Sequence, residues 1–80
     1  MFKIYIELKN VVEGKHYKVR IKKDDNQYDK EESVSASNPS VVFYDVPGGA
    51  YTASSADETW AAHTATFQAF QDGQTVHIYM

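Results

Sequence analysis

Hydrophobic and polar residues alternate along most of this chain, which is the pattern of β-strands that bury one face. The alternation is clearest from Ala65 to Met80, where Asp72-Gly73 separates two alternating runs. Asp-Gly between such runs is a strong signal for a β-hairpin with a tight turn. In that hairpin Ala69 pairs with Val76, and both strands place their apolar residues on the same face. The apolar face carries Ala65, Phe67, Ala69, Val76, Ile78 and Met80, and the opposite face carries Thr66, Gln68, Phe70, Thr75, His77 and Tyr79.

The same alternation predicts earlier strands over residues 2–9 and 17–22, and two further strands are predicted over 41–46 and 50–55. Pro47 ends the strand before it because proline has no backbone N–H for a ladder. Gly48-Gly49 then turns the chain into the next strand. Residues 23–40 are polar and charged, and only 33–36 is compatible with a short edge strand.

Residues 55–71 support two interpretations. Ser55-Ala-Asp-Glu58 has the form of a helix capping box, and several alanines follow it. Threonines and the hairpin pattern instead favour a turn at Asp57-Glu58 and a strand from about Trp60 onward. We therefore predict that residues 1–80 form one all-β domain, a small antiparallel β-sandwich of the prealbumin-like or immunoglobulin-like kind with six or seven short strands. The alternative is an α+β fold with a helix near 55–71.

Length and composition restrict the class of protein. A chain of 80 residues forms one domain with a small core, and without cysteine it has neither disulfides nor a cysteine zinc site. No segment is apolar and long enough for a membrane span or a signal peptide. The sequence thus predicts no membrane association and a protein that is cytoplasmic as synthesised. A domain excised from a longer protein, or a phage protein, would instead be secreted or virion-associated.

The charges are unevenly distributed. Seven of the eight basic residues lie within residues 1–23, whereas nine of the eleven acidic residues follow them. We expect the basic strands to lie beside acidic loops, so that the two fields largely cancel. The net charge of −3 is also unlike that of a nucleic-acid-binding domain, and no nucleic-acid partner is predicted.

Residues 43–53, Phe-Tyr-Asp-Val-Pro-Gly-Gly-Ala-Tyr-Thr-Ala, resemble a known family pattern. The stretch is similar to the F-x-x-L-P-x-G-x-Y-x-V segment of Cna-B-type and carboxypeptidase-regulatory-like domains, which are prealbumin-like β-sandwiches. The Asp72-Gly-Gln-Thr-Val76 segment is similar to the turn in their last strand pair, so the resemblance covers residues 41–80. It implies that Phe43 and Tyr51 fill the interior of the sandwich.

Many Cna-B-type domains also contain an internal Lys–Asn isopeptide bond. The resemblance makes Lys3 or Lys9 the candidate lysine, but residues 75–80 contain neither Asn nor Asp as its partner. The usual Asp-x-x-Gly turn after the first strand is also replaced, by residues 10–14. We therefore expect no isopeptide bond, and these departures weigh against a pilin or adhesin stalk.

No motif in the chain indicates catalysis or a cofactor. The histidines, His16, His63 and His77, lack the spacing of metal ligands. The acidic segment 24–32 lacks the glycine and the alternate spacing of an EF-hand loop. The serines lack a G-x-S-x-G elbow. We predict no catalytic residue, no metal, no cofactor and no enzymatic activity.

The candidate binding surface is the outward face of the predicted hairpin. It carries aromatic and short polar side chains, which suit protein recognition. Tyr5 joins it if the first strand lies beside the last, and Trp60 lies near its end. The predicted binding residues are Tyr5, Trp60, Gln68, Phe70, His77 and Tyr79. The alternative is that the 23–40 loop covers this face, or that the face belongs to the core.

These observations favour a non-catalytic protein-interaction or structural module, such as one in a phage particle or a bacterial surface assembly, present as a monomer or weak dimer. One alternative is a small stand-alone phage-type inhibitor that binds a host protein, as anti-defence and anti-CRISPR proteins do. A further alternative is a carbohydrate-binding module that uses Tyr5, Trp60, Phe70 or Tyr79 as stacking platforms.

Overall fold

A computed structural model describes residues 1–56 and 62–80, and within them the chain forms seven strands in two sheets. The strands are β1 (Phe2–Lys9), β2 (His16–Lys23), β3 (Asp29–Ser35), β4 (Ser40–Val46), β5 (Gly49–Ala56), β6 (Ala62–Ala69) and β7 (Gln74–Tyr79). One sheet has the order β4-β1-β7 and the other β3-β2-β5-β6. Only the β1–β7 pair is parallel among these ladders. The predicted all-β sandwich is confirmed.

The helix alternative for residues 55–71 is wrong where the structure describes them. Ser55 and Ala56 end strand β5, and β6 pairs antiparallel with β5 from Ala62 to Ala69. The threonines of β6 face Thr52 and Ser54 of β5. Such cross-strand hydroxyl pairs suit a sheet better than a helix. The predicted turn at Asp57-Glu58 and the strand start near Trp60 lie outside the described residues.

The predicted hairpin between the last two strands is also wrong. Strand β6 lies in the four-stranded sheet, whereas β7 lies in the three-stranded sheet beside β1. Ala69 therefore does not pair with Val76, although both are buried. The reason is that an apolar stripe faces inward equally well in neighbouring strands of one sheet and in strands facing each other across a core. The inward and outward faces of both strands were predicted correctly, and only their pairing was not.

The Asp72-Gly73 turn connects the two sheets and is bonded to the first strand. The Lys3 backbone N–H donates to Asp72 Oδ1 at 2.7 Å, and the Gly73 N–H donates to the Lys3 carbonyl at 2.7 Å. Gly73 has a φ of 83°, in the left-handed region that glycine adopts without strain. These bonds fix the start of β7 against β1.

The side chain of Gln74 holds the end of β6. Its Oε1 accepts from the backbone N–H groups of Phe70 at 3.0 Å and Gln71 at 3.2 Å. Its Nε2 donates to the Gln68 carbonyl at 2.9 Å. One side chain thus satisfies three backbone groups that would otherwise lack a strand partner at the corner.

The core lies between the sheets and is built from the inward residues of every strand. Phe43 and Tyr51 are both buried in it, as the sequence resemblance implied. The Tyr51 ring stacks on Phe67 with centroids 5.2 Å apart, and its hydroxyl donates to the Pro47 carbonyl at 2.6 Å. Burial raises the pKa of Tyr51 to about 12, because the phenolate would lose its solvation.

The charged outer side of β2 lies against β3. Arg20 donates to both carboxylate oxygens of Asp29, from Nε at 2.7 Å and from Nη2 at 2.5 Å. Lys18 faces Glu31 at 3.9 Å. The basic strand β2 therefore lies beside acidic residues, but these lie on a strand, β3, and not in the loop that was predicted. Strand β3 is longer than the edge strand expected over 33–36.

The described residues contain no helix that is long and apolar enough to span a membrane.

Replacing Asp72 tests the hydrogen bonds that hold the connection between β6 and β7 against β1. Asp72→Ala is expected to lower the free energy of unfolding by about 1 kcal/mol, because the Lys3 N–H loses its acceptor. Asp72→Asn retains Oδ1 and is expected to lose less. Urea denaturation followed by circular dichroism measures both variants. Equal losses in the two would contradict the role given to Oδ1.

Replacing Tyr51 tests the buried hydroxyl. Tyr51→Phe is expected to lower the free energy of unfolding by about 1–2 kcal/mol at neutral pH, since the Pro47 carbonyl loses its donor. Tyr79→Phe, at an exposed site, is the matched control and is expected to change little.

The same pair of variants gives a pH dependence. The pKa of Tyr51 is raised from 10.0 to about 12 in the folded chain, so its stabilising effect is complete below pH 10 and is lost as the pH rises through 12. Urea denaturation at several pH values from about 9 to about 12 measures this effect. The free energy of unfolding is expected to fall less with rising pH in Tyr51→Phe than in wild type or in Tyr79→Phe. An identical alkaline loss in all three proteins would contradict this assignment.

Candidate functional site

The candidate site is the outer face of the three-stranded sheet, called here the β4-β1-β7 face. Ile4, Ile6 and Leu8 of the central strand point into the core, so the residues between them point outward. The outward side chains of the three strands are Ser40, Val42 and Tyr44 of β4, Lys3, Tyr5, Glu7 and Lys9 of β1, and Thr75, His77 and Tyr79 of β7. In register, Tyr5 lies between Val42 and Thr75, Glu7 lies beside His77, and Lys9 lies beside Tyr79.

Three tyrosines give this face its aromatic character. Tyr5 is 37% exposed near the middle, and Tyr44 and Tyr79 are each 63% exposed on the two flanking strands. The His77 ring lies edge-on to Tyr79 with centroids 6.4 Å apart. Lys3 Nζ lies 5.9 Å from the centroid of the Tyr5 ring, at the outer limit of a cation–π contact. The face thus presents large, partly exposed rings on a rigid sheet.

The charges on the face compensate one another. Lys9 Nζ donates to Glu7 Oε1 at 2.5 Å, and His77 Nε2 lies 3.9 Å from Glu7 Oε2. The Lys9 ammonium lowers the pKa of Glu7, and Glu7 raises the pKa of Lys9 in return. Glu7 is therefore ionised and ion-paired at neutral pH, and it partly neutralises the cations of the central strand.

The structure brings only part of the predicted binding set together. Tyr5, His77 and Tyr79 share the β4-β1-β7 face, as expected if the first strand lies beside the last. Gln68 lies on the outer side of the opposite sheet, on β6 beside Ala50. Phe70 is 69% exposed in the connection between β6 and β7. Trp60 lies outside the described residues.

The predicted hairpin face therefore does not exist as one surface. Because β6 and β7 belong to different sheets, the core separates Thr66 and Gln68 from His77 and Tyr79. The alternative that the 23–40 segment covers the site is wrong over the described residues, since that segment supplies β3 at the edge of the other sheet. Tyr5 and Tyr79 are open to solvent.

Sequence reasoning missed Val42 and Tyr44. They lie in the run Val41-Val-Phe-Tyr44, which is apolar on both faces of the strand. Such a run carries no alternation, and alternation was the signal that assigned outward residues elsewhere. The position of Phe43 in the family-like segment was the available clue, because burying Phe43 turns both neighbours outward.

Other chemistry-bearing residues are dispersed. His16 begins β2, His63 lies on β6 and His77 lies on β7. Among residues 1–56 and 62–80, no group of three or more side chains of the metal-ligating kind comes together. A shallow groove of about 560 Å³ lies near the start of β2, lined by Val11, Glu13, Gly14, Lys15, His16, Ser35, Ala36 and Ser37.

Titration of Glu7 tests the electrostatics of the face. In wild type the pKa of Glu7 is expected below its ordinary value, and Lys9→Met is expected to raise it, because the ammonium that stabilises the carboxylate is removed. Lys3→Met is the matched control, since Lys3 does not contact Glu7. Carbon-13 NMR of the side-chain carboxyl during an acid titration measures all three. An unchanged midpoint in Lys9→Met would contradict the ion pair.

The chain was compared with models of known protein families, with curated protein sequences and with solved structures, and none of the three comparisons found a match. The resemblance to Cna-B-type and carboxypeptidase-regulatory-like domains thus rests on residues 41–80 of the sequence and stays a prediction. The β-sandwich architecture stands on the strand order and pairing of the structure itself.

Proposed function

We propose that this chain is a non-catalytic module that binds another protein through the β4-β1-β7 face. The observation that carries the proposal is the set of partly exposed tyrosines, Tyr5, Tyr44 and Tyr79, on adjacent strands of one sheet. Tyrosine is enriched at protein interfaces because its ring buries a large area at a small cost in conformational entropy. Tyrosines held on strands are also more rigid than tyrosines held on loops.

The ion pairs on the face support a protein partner and not a polyanion. Glu7 is bonded to Lys9 and faces His77, so the cations on the central strand are partly neutralised within the face. A surface that bound a polyanion would instead present unpaired cations. The basic residues Arg20 and Lys18 on the opposite sheet are likewise paired, with Asp29 and Glu31.

The proposal includes the absence of an internal isopeptide bond. Such a bond needs a lysine amine inside the sandwich, next to an Asn or Asp side chain. Lys3 and Lys9 both lie on the outer face of β1, and Lys9 is bonded to Glu7 there. The neighbouring strand β7 contains neither Asn nor Asp. These positions favour a module held together by its core alone.

A second candidate is carbohydrate binding. The observation that favours it is the same exposure of Tyr5 and Tyr79, because flat aromatic rings are also surfaces on which sugar rings stack. The charge pair at Glu7 and Lys9 would supply hydrogen-bonding groups beside the rings. A glycan would need these residues in much the same way as a protein, so the two candidates are separated by the chemical nature of what binds.

A matched pair of triple variants tests the site. The binding-face variant carries Tyr5→Ala, His77→Ala and Tyr79→Ala. The control carries Thr52→Ala, Thr66→Ala and Gln68→Ala, which lie on the outer side of the opposite sheet. Each tagged protein, shown to be folded by circular dichroism, is used to capture partners from a lysate of the source organism. We expect one stoichiometric protein that is lost in the first variant and kept in the control.

Four results would contradict or redirect the proposal. A protein retained by the binding-face variant would contradict the site. Capture of no protein, together with glycan-array binding that the same variant abolishes, would favour the carbohydrate candidate. A single captured enzyme or defence protein that loses activity on binding would make the module an inhibitor. Neither protein nor glycan bound by wild type would overturn the proposed function.

A further inference from the structure

Among the described residues, the two sheets end in four edge strands, and two of these carry features that prevent further pairing. A free edge presents unpaired backbone N–H and C=O groups to any other strand. In β3, Lys30 and Glu32 lie opposite the buried Ile21 and Val19, so charges stand on the inner side of that edge. Strand β4 has an irregular register, with Asp45 at a φ of 55°, and Pro47 follows it.

Edge strand β7 carries no such feature. Residues 74–79, Gln-Thr-Val-His-Ile-Tyr, contain no acid, no lysine or arginine, no proline and no glycine. Val76 and Ile78 are buried, and Thr75, His77 and Tyr79 are exposed. A regular strand of β-branched and aromatic residues, without Asp, Glu, Lys or Arg, is at an edge a ready template for another strand.

The hydrogen bonds to β1 show which groups of β7 are free to pair. The Met80 N–H donates to the Lys9 carbonyl at 2.9 Å, so Met80 faces β1. Backbone groups alternate in direction along a strand, and Ile78 and Val76 therefore also face β1. The N–H and C=O groups of Thr75, His77 and Tyr79 consequently point to the open edge, where no described strand pairs with them.

We propose that β7 pairs antiparallel with β7 of a second copy of this chain, with His77 on the two-fold axis. In this register His77 faces His77 of the other copy, and Thr75 faces Tyr79. All three outward residues then form hydrogen-bonded pairs, which gives about six backbone bonds. An axis at Val76 or Ile78 would leave one of the three outside the paired region.

The side chains of β7 fit this partner on both faces. On the inner side Val76 lies directly opposite Ile78 of the other copy and extends the apolar layer across the junction. On the outer side a β-branched Thr75 meets the aromatic Tyr79. Neither copy brings a Lys, Arg, Asp or Glu of β7 to the junction, although each chain carries a net charge of −3. A two-fold pairing closes on itself, so it gives a dimer rather than a fibre.

The dimer would contain a continuous sheet with the order β4-β1-β7-β7-β1-β4. Its outer side would carry two β4-β1-β7 faces next to each other. This inference does not rest on the proposed function, because it is argued from the unpaired backbone groups along the edge of β7.

Single-cysteine variants test the register directly, since the chain has no cysteine of its own. Two residues that form a hydrogen-bonded pair in an antiparallel ladder have Cα atoms about 5.5 Å apart, a distance that a disulfide can span. His77→Cys is therefore expected to form a disulfide-linked dimer under mild oxidation. In Thr75→Cys and Tyr79→Cys the two cysteines are four residues apart along the strand, about 13 Å, and no cross-link is expected.

A second measurement follows the unmodified dimer. Light scattering of wild type is expected to show a molar mass that rises toward twice the monomer mass as concentration increases. His77→Lys places two ammonium groups on the axis and is expected to remain monomeric at every concentration. His16→Lys makes the same change at an exposed site on β2 and is expected to behave as wild type.

The outcomes are decisive in both directions. Cross-linking of His77→Cys alone, with loss of association in His77→Lys, would support the dimer. Equal cross-linking of all three cysteine variants would overturn the register, and with it the proposal. A monomeric wild type with no cross-link at His77 would also overturn it, and would leave the edge to an extended strand of a different protein. Failure of partner capture by the tyrosine face affects none of these readouts.

Discussion

The parallel pairing of β7 with β1 is the constraint on which the rest of the fold depends. Parallel neighbours cannot be joined by a tight turn, so the chain must reach β7 from elsewhere, and it does so from β6 in the opposite sheet. The connection is short, and it holds because Asp72 and Gly73 bond to both backbone groups of Lys3. Lys3 lies at the start of the central strand of the three-stranded sheet. The last residues of the chain are thereby fixed against the first, and the two sheets are closed into a sandwich.

That closure also creates the candidate site. Because β7 runs alongside β1 in register, Glu7 lies beside His77 and Lys9 beside Tyr79. A hairpin would have placed the outward residues of β7 beside Gln68 and Thr66 instead. The observed arrangement combines aromatic rings from the two flanking strands, β4 and β7, with a charge pair on the central strand β1. The face is therefore a product of tertiary connection, and no single segment of the chain contains it.

Sequence patterns predicted the strands and their inward faces because burial imposes alternation on each strand separately. They did not predict the pairing of β6 and β7, because the alternation is the same in a hairpin and in a corner between sheets. They also shortened β3, since Lys30 and Glu32 occupy inner positions where an apolar residue was expected. Those charges are tolerated only because β3 is an edge that the other sheet does not cover. Tyr44 escaped notice for the opposite reason, since its strand is apolar on both faces.

The charges of the sequence are distributed unevenly among the strands of the molecule. Strands β2 and β3 carry the Arg20–Asp29 and Lys18–Glu31 pairs on their outer surface. Strands β6 and β7 contain no lysine, arginine or acid, and Asp72 between them is bonded to the Lys3 backbone. Charges on an edge prevent association, and their absence permits it. The Lys, Arg, Asp and Glu residues of this 80-residue domain are thus absent from the β7 edge, and the open backbone groups of that edge remain available for contact with another chain.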